Sequence, residues 1–304
     1  MRKKQQPSGC SIMIALAVLF CIFISESTKD KNNPQSDYSA SNSATTEAAV
    51  EPEKEETGEP KEESNNAGTS ADGISSADMQ LAQPAQSPNL DEQIIHHYAY
   101  TVSYNNTLHD PNWVCWCLTS DHTDGPYKRK GTKFMPDDEV KGAKVDTYDY
   151  MRSGYDRGHM CPSGDNRWSS VAQYESFYMS NICPQIHNLN AGDWKEMEEQ
   201  CRLWAEKYGK IYIVAGPLFY RSSHRYIGSN DVAVPEGFFK VVLCTAGKPK
   251  AIGFVYHNTP GNHPKSYYAN SVDEVERITG FDFFPSLPDK TERQVESHYD
   301  FYAW

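Results

Sequence analysis

The chain carries its most informative residues in one stretch, Tyr155-Asp156-Arg157-Gly158-His159-Met160-Cys161-Pro162. An acid, a base, a glycine and a histidine occupy four consecutive positions there. Glycine permits a backbone geometry that lets its neighbours point at one site. A histidine can accept a proton near neutral pH, and an arginine beside it can clamp an anionic phosphate. The stretch therefore indicates acid–base chemistry on a phosphodiester, with a purely structural histidine as the alternative.

A second informative stretch follows, Asn181-Ile182-Cys183-Pro184-Gln185 and then Leu189-Asn190-Ala191-Gly192-Asp193-Trp194. After it, apolar residues recur at helical spacing and predict a helix over Asp193–Tyr208. Asn190 or Asp193 can cap the start of this helix, and Gly209 ends it. The stretch thus leads directly into a helix.

Asn190 and Glu198 are eight residues apart, which is about two turns of a helix. A neutral amide oxygen near a carboxylate suits a hard divalent cation that keeps most of its water. Glu198 and Arg202 lie four residues apart and share one face of the helix. The residues alone leave two interpretations open, a metal site and an ordinary capped helix with a surface ion pair.

The rest of the chain predicts a mixed fold. Five runs rich in Val, Ile and aromatic residues predict strands: Tyr98–Tyr104, Trp113–Leu118, Ile211–Ala215, Phe238–Cys244 and Ala251–Tyr256. A second helix is predicted over Ser271–Thr279, with Ser271 as its cap and Glu274 three residues on. Strands and helices do not alternate strictly, so we expect an α+β fold with a central antiparallel sheet and flanking helices.

Charge is distributed unevenly along the 304 residues. The chain has 29 basic and 41 acidic side chains and a formal net charge of −12. Residues 1–27 carry +2 and residues 28–92 carry −10, which leaves −4 for residues 93–304. No region has the excess of Lys and Arg that a protein coating nucleic acid needs. A single apolar run also excludes a membrane protein with many spans.

Three regions are predicted from composition. Residues 1–27 combine a basic start with an apolar run at 12–24, which predicts a signal peptide or membrane anchor. Residues 28–92 are acidic and poor in aromatic residues, which predicts a disordered linker. Residues 93–304 form the predicted folded domain. We therefore expect an exported protein, periplasmic or extracellular, that the amino-terminal segment could anchor to a membrane.

The motifs of residues 93–304 resemble those of a known family. They are Asp156-Arg157-Gly158-His159, Asn181-x-x-Pro184-Gln185 and Leu189-Asn190-x-Gly192-x-Trp194-x-x-x-Glu198-x-x-x-Arg202. In this order they resemble the DNA/RNA non-specific endonucleases of the ββα-metal superfamily, relatives of mitochondrial endonuclease G. Segments 234–242 and 272–288 match further along, so the resemblance covers nearly all of residues 93–304.

The resemblance implies a ββα-metal nuclease fold and a metal-dependent endonuclease. Such an enzyme hydrolyses phosphodiester bonds of DNA and RNA with little sequence specificity and leaves 5′-phosphate ends. His159 would be the general base, with a pKa near neutrality. Asn190 would bind Mg²⁺ directly, Mn²⁺ being the alternative ion, and Glu198 would act through a metal-bound water.

Three arginines complete the catalytic and substrate-binding set that the resemblance implies. Arg157 and Arg202 match family arginines that contact phosphate. Arg129 is the candidate for a third, and it lies in a basic segment with Lys128, Lys130 and Lys133. Asp156 is expected to order the turn rather than to react. DNA and RNA are the implied substrates, no obligate protein partner is inferred, and the oligomeric state stays open, with a homodimer among the options.

Six cysteines follow the predicted signal: Cys115, Cys117, Cys161, Cys183, Cys201 and Cys244. An even number in an exported chain favours disulfides. Cys115 and Cys117 share one face of a strand and are not expected to pair with each other. Cys161 and Cys183 flank the two motifs, where they could form a disulfide or, with His187, a zinc site.

Three other functions remain open from the residues. A non-catalytic surface protein that binds nucleic acid would have lost His159 or Asn190, and both are present. A structural envelope protein would leave the set of His, Asn, Glu and Arg residues unexplained. A metal-dependent phosphatase would release free phosphate from a monoester instead of cutting inside a strand.

Overall fold

A computed structural model of the protein describes residues 74–87 and 90–304. The predicted signal peptide or anchor and most of the predicted linker lie outside the described residues. Within the described part of the chain, no helix is both long and apolar enough to cross a membrane.

The described residues form eleven strands: β1 (Gln93–His96), β2 (Thr101–Asn105), β3 (Asp110–Thr119), β4 (Asp156–His159), β5 (Ile182–Gln185), β6 (Lys210–Leu218), β7 (Arg225–Ile227), β8 (Val232–Val234), β9 (Gly237–Cys244), β10 (Lys250–His257) and β11 (Ala269–Asn270). They also form five α-helices: α1 (Ser76–Ala82), α2 (Ser170–Glu175), α3 (Lys195–Tyr208), α4 (Val272–Thr279) and α5 (Asp289–Glu296).

A seven-stranded sheet is the centre of the fold. Its strand order is β1-β2-β3-β6-β9-β10-β11, and every neighbouring pair is antiparallel. All five predicted strands are present, as β2, β3, β6, β9 and β10. Two hairpins, β4–β5 and β7–β8, stand outside this sheet. The predicted α+β fold with a central antiparallel sheet is confirmed.

Side chains of the sheet alternate between two apolar clusters, one on each face. On β3, the two sets are Val114, Trp116 and Leu118 on one face, and Trp113, Cys115 and Cys117 on the other. Helix α3 packs on the first face through Met197 and Trp204. Helices α1, α4 and α5 contribute Ala82, Val275 and Val295 to the second cluster. Helices therefore flank both faces of the sheet, as predicted.

The two predicted helices form, with one difference at a start. Helix α4 is capped by Ser271, whose hydroxyl accepts a hydrogen bond from the Glu274 amide at 3.2 Å, as predicted. Helix α3 ends at Gly209 but begins at Lys195, after a wide π-type turn over 189–194. Neither Asn190 nor Asp193 caps it, because their side chains hydrogen-bond to Asp156 and Tyr268 instead.

Helix α1 lies inside the range predicted to be a linker. Its Asp78 accepts hydrogen bonds from Lys210 and from Tyr212, each at 2.8 Å, and its Ala82 is fully buried. A short helix can dock in this way because one carboxylate with two donors and a few apolar contacts offset its ordering entropy. The folded domain therefore extends upstream of residue 93, which corrects the predicted boundary.

The predicted disulfides are not formed. All six cysteines are buried free thiols. The sulfur of Cys161 accepts a hydrogen bond from Asn166 at 3.3 Å, whereas Cys183 packs in the apolar cluster on one face of the sheet. The zinc alternative fails as well, because the exposed ring of His187 turns to Asp156, at 2.8 Å, and not to the buried sulfurs.

Candidate active site

The β4–β5 hairpin and helix α3 enclose an open cleft of about 590 Å³. Six cationic side chains and two carboxylates line it, together with His159, His187 and Asn190. The cations are Lys128, Arg129, Lys130, Arg167, Lys195 and Arg202, and the carboxylates are Asp156 and Glu198. Positive charge is thus concentrated in one cleft of an acidic domain, which favours an anionic ligand.

His159 ends β4 with its ring buried against two aromatic side chains. The ring centroids of Phe134 and Phe177 lie 5.2 Å and 5.0 Å from the imidazole. Its backbone carbonyl accepts a hydrogen bond from the Trp194 indole at 3.1 Å, which ties β4 to the start of α3. Nε2 is buried and has no hydrogen-bond partner among the described residues. The imidazole is therefore held in place while one ring nitrogen stays available.

The electrostatics of His159 differ from the near-neutral pKa that we expected. Burial disfavours the charged imidazolium, and the nearby guanidinium of Arg129 disfavours it further. Together they lower the pKa of His159 to about 3. The ring is consequently neutral at physiological pH, which is the form that can accept a proton.

Asn190 lies in the wide turn before α3, with its amide group fixed by Asp156. Its Nδ2 donates to Oδ2 of Asp156 at 2.9 Å, and the His187 ring meets the same oxygen at 2.8 Å. Oδ1 of Asn190 forms no hydrogen bond within the described residues. Asp156 therefore orders the turn, as expected, and leaves the amide oxygen of Asn190 as a free ligand at the cleft.

Glu198 reaches the cleft from the first turn of α3. Its carboxylate forms no hydrogen bond within the described part of the chain. Burial raises the pKa of Glu198 to about 7, with Lys240 acting in the opposite direction and Asp165 in the same one. Two oxygen-bearing groups, Asn190 and Glu198, thus line one cleft without a protein partner, and this donor set fits a hard divalent cation.

Arg202 lies one helical turn beyond Glu198 and is held by a buried acid. Its Nη1 donates to Oδ1 of Asp165 at 2.8 Å, while Trp116 donates to the other oxygen at 3.1 Å. Gly164 makes this approach possible, since a Cβ there would lie 2.7 Å from Nη1. The simple surface pair of Glu198 with Arg202 is not formed, and no sequence pattern indicates Asp165 as the partner.

The other two predicted arginines occupy different positions around Phe134. Arg129 is exposed and lines the cleft, with its guanidinium 5.9 Å from the Phe134 ring centre. Arg157 lies 5.1 Å from the same ring centre and outside the cleft lining. Its Nη1 donates to the hydroxyl of Thr147 at 2.8 Å. Arg157 is therefore adjacent to the cleft rather than in its wall.

Gly158 has a role that its sequence neighbours do not reveal. It pairs with Cys183 across the hairpin, and a Cβ at residue 158 would lie 2.3 Å from Oε1 of Gln185. The glycine is required by this close approach, whereas we had expected it to provide unusual backbone freedom. Sequence reasoning also missed Arg167 and Lys195, which line the cleft but belong to no recognised motif.

A β-hairpin followed by a helix, with a histidine on the first strand and an asparagine and a glutamate at the helix, defines a nuclease of the ββα-metal class. A family model described as DNA/RNA non-specific endonuclease matches residues 78–290. The chain belongs to this family, which is one of metal-dependent nucleases.

Similar proteins support this family assignment. The chain is 37% identical over 211 residues to a protein of Xenopus laevis named mitochondrial nuclease EXOG, covering 64% of this chain and 58% of that protein. It is 30% identical over 203 residues to human mitochondrial endonuclease G, covering 62% and 68% respectively. A crystal structure of an EndoG/EndoGI complex matches with a TM-score of 0.65 and 29% identity, over 71% of this chain and 93% of that one.

The comparisons also correct the predicted localisation. The relatives are named mitochondrial nucleases, which points away from an exported periplasmic or extracellular protein. The chain spans only 58% of the length of the frog nuclease.

Proposed function

We propose that this protein is a metal-dependent endonuclease that hydrolyses phosphodiester bonds inside DNA and RNA strands, with little sequence preference. One observation carries the proposal: the unpartnered Nε2 of His159 and the free amide oxygen of Asn190 line the same cleft, among six cationic side chains. A proton acceptor, a cation ligand and phosphate-binding charges are the parts that phosphodiester hydrolysis needs.

Substrate would be held through its backbone. Phosphate oxygens would be bound by Arg129, Arg202 and the neighbouring cations of the cleft. Arg157, which packs against Phe134 outside the cleft wall, would add positive charge beside it. Contacts to phosphate and sugar carry no direct sequence information, so both DNA and RNA are accepted. Fixing Arg202 against Asp165 reduces the side-chain entropy that is lost when phosphate binds.

A divalent cation, proposed to be Mg²⁺, would neutralise phosphate charge and stabilise the leaving oxygen when bound. Asn190 would hold it directly and Glu198 through a water molecule. The neutral imidazole of His159 takes a proton from the attacking water through Nε2. Attack at phosphorus in line with the 3′-oxygen breaks the P–O3′ bond, which leaves a 5′-phosphate and a 3′-hydroxyl.

Binding of the anionic substrate also changes the pKa of His159, the proposed base. Burial is the main reason that the pKa of His159 is low in the free protein, and Arg129 lowers it further. A phosphate placed between them offsets that positive charge, so the pKa of His159 rises when substrate is bound. The base therefore becomes stronger in the complex in which it is needed.

The test is incubation of the protein with supercoiled plasmid and, separately, with RNA, with Mg²⁺ or with EDTA. Nicking of the plasmid and cutting of the RNA, both only with Mg²⁺, are expected. Release of inorganic phosphate from a nucleoside monophosphate without nicking would instead indicate a phosphatase. Binding of both substrates without cleavage would indicate a non-catalytic nucleic-acid-binding protein.

A further inference from the structure

Three carboxylates converge between α4 and α5, away from the cleft. Asp273 and Glu276 belong to α4, Glu296 ends α5, and one oxygen of each lies within 4.8 Å of the others. Asp273 is exposed, Glu276 is half-buried and Glu296 is buried. The cluster is thus open to solvent at one side and closed by the protein at the other.

Glu296 is the carboxylate that the fold leaves without a partner. Its side chain is only 6% exposed, and its Oε1 is buried with no hydrogen bond to any described residue. Glu276, by comparison, accepts a hydrogen bond from the Phe283 amide at 2.9 Å. A buried carboxylate oxygen without a donor is unfavourable unless a cation or a proton satisfies it.

The surrounding charges do not supply that partner. The groups that act most strongly on Glu296 are all carboxylates: Glu276, Glu292, Asp273 and Asp282. The arginines of the two helices pair elsewhere, Arg277 with Glu274 at 2.6 Å and Arg293 with Asp289 at 4.0 Å. The buried oxygen is therefore surrounded by carboxylates, and burial together with these neighbours raises the pKa of Glu296 to about 8.

We propose that Asp273, Glu276 and Glu296 form a structural Ca²⁺ site that joins α4 to α5. Ca²⁺ takes six to eight oxygen ligands, among them several carboxylates, in a flexible geometry. Mg²⁺ demands a near-ideal octahedron and keeps several of its waters, so it is usually bound by one or two carboxylates. Three carboxylates from two helices therefore favour Ca²⁺.

The exposed side of the cluster completes the site. Three carboxylates do not fill the six to eight positions that Ca²⁺ takes, and water can occupy the rest on the side of Asp273. Val275 and Val295, from the same two helices, pack into one apolar cluster beneath the sheet. A bound ion would replace repulsion between α4 and α5 with attraction and stabilise this packing.

The test is a Ca²⁺ titration of the full chain by isothermal calorimetry, with thermal unfolding in EDTA and in Ca²⁺. Wild type is expected to bind Ca²⁺ and to unfold several degrees higher with it. Glu296→Gln and Asp273→Asn are expected to lose both the binding step and the shift. In EDTA, Glu296→Gln should be at least as stable as wild type, because a neutral amide of the same size replaces a buried carboxyl group, and this also shows that it folds.

Two controls separate this site from other sources of binding. Glu274→Gln alters a carboxylate of the same helix that pairs with Arg277, and it should keep the Ca²⁺ step. Asn190→Ala alters the cleft, and it should keep the step as well. Equal Ca²⁺ binding and equal thermal shifts in wild type, Glu296→Gln and Asp273→Asn would overturn the proposal, as would no binding to wild type at millimolar Ca²⁺. The result does not depend on whether the cleft cuts nucleic acid.

Discussion

Two side-chain atoms in the cleft are left without a partner by the folded chain. Nε2 of His159 is buried and unpaired, and Oδ1 of Asn190 is unpaired while Asp156 holds Nδ2 of the same amide. No existing hydrogen bond has to be broken when either atom takes a new partner. The neighbours of both residues fix their orientation, which favours a site that is formed before the substrate arrives.

Asn190→Ala is expected to raise the Mg²⁺ concentration needed for half-maximal cleavage by about tenfold or more, because the remaining ligands bind the ion more weakly. The measurement is the cleavage rate as a function of Mg²⁺ at fixed substrate. Asn188→Ala is the matched control, since Asn188 lies in the same turn and its side chain caps nothing. An unchanged Mg²⁺ requirement in Asn190→Ala would exclude the amide as a ligand.

Arg129→Ala should move the pH dependence of cleavage. In wild type the pKa of His159 is lowered to about 3, partly by Arg129, so the base stays neutral well below pH 6.5. Without that guanidinium the pKa rises, and the acidic limb of kcat/KM is expected to move to higher pH. Loss of a charged phosphate contact should also lower kcat/KM about tenfold.

The pH profile is recorded at saturating Mg²⁺, so that protonation of Glu198 does not determine the pH dependence of cleavage. Lys130→Ala removes a neighbouring cation of the cleft that does not contribute to the pKa of His159. This variant should lower kcat/KM without moving the acidic limb of its pH profile. A limb that stays in place in Arg129→Ala would show that His159 does not control the pH dependence.

The β4–β5 hairpin brings His159 to the cleft, and its two strands approach so closely that residue 158 has no room for a side chain. A Cβ there would lie 2.3 Å from the Gln185 side chain. Gln185 is fully buried, and neither of its amide atoms has a partner among the described residues. The backbones of the two strands are hydrogen-bonded to each other, and the Gln185 side chain packs against the space that a side chain at residue 158 would need.

Gly158→Ala is expected to lower the free energy of unfolding by about 1–3 kcal/mol, the usual cost of overpacking a buried site. Cleavage should fall as well, because β4 carries His159. Urea unfolding and plasmid nicking measure the two effects. The double variant Gly158→Ala with Gln185→Ala should recover part of the stability, since it gives the new methyl group space. No recovery would mean that the strain lies elsewhere.

The long elements could be predicted from the sequence, and the short ones around the site could not. The strands β3, β6, β9 and β10 and the helix α3 carry repeated apolar residues whose spacing records which side is buried. β4 and β5 have four residues each, mostly polar or small, and their pairing depends on contacts far along the chain. The partners of the site, Asp165 and Phe177, are likewise brought close only by the fold.

The charge of the whole protein is a poor guide to its ligand. The chain carries −12 overall, yet one cleft contains six cations against two carboxylates. Counting along the sequence misses this, because the cations come from the segments 128–130 and 167 and from helix α3. Nucleic acid bound in this cleft, as proposed, would release counterions when it contacts the six cations, so its binding would be sensitive to salt.

Binding of a short single-stranded DNA in EDTA is therefore expected to weaken steeply with salt. Four or five phosphate contacts give a slope of about −3 to −3.5 for log K against log salt. Lys130→Ala should reduce the steepness by about 0.7, the contribution of one contact. Lys248→Ala, an exposed lysine outside the cleft, should leave it unchanged. Equal slopes in all three proteins would place the binding surface elsewhere.

The most direct test of the account is single-turnover nicking of supercoiled plasmid by wild type and His159→Ala at saturating Mg²⁺. Loss of the base is expected to slow nicking by about 10²–10⁴-fold, while DNA binding and thermal unfolding stay close to those of wild type. His298→Ala, an exposed histidine far along the chain, should cut normally. A normal rate in folded His159→Ala would contradict the assignment of the cleft as the catalytic site.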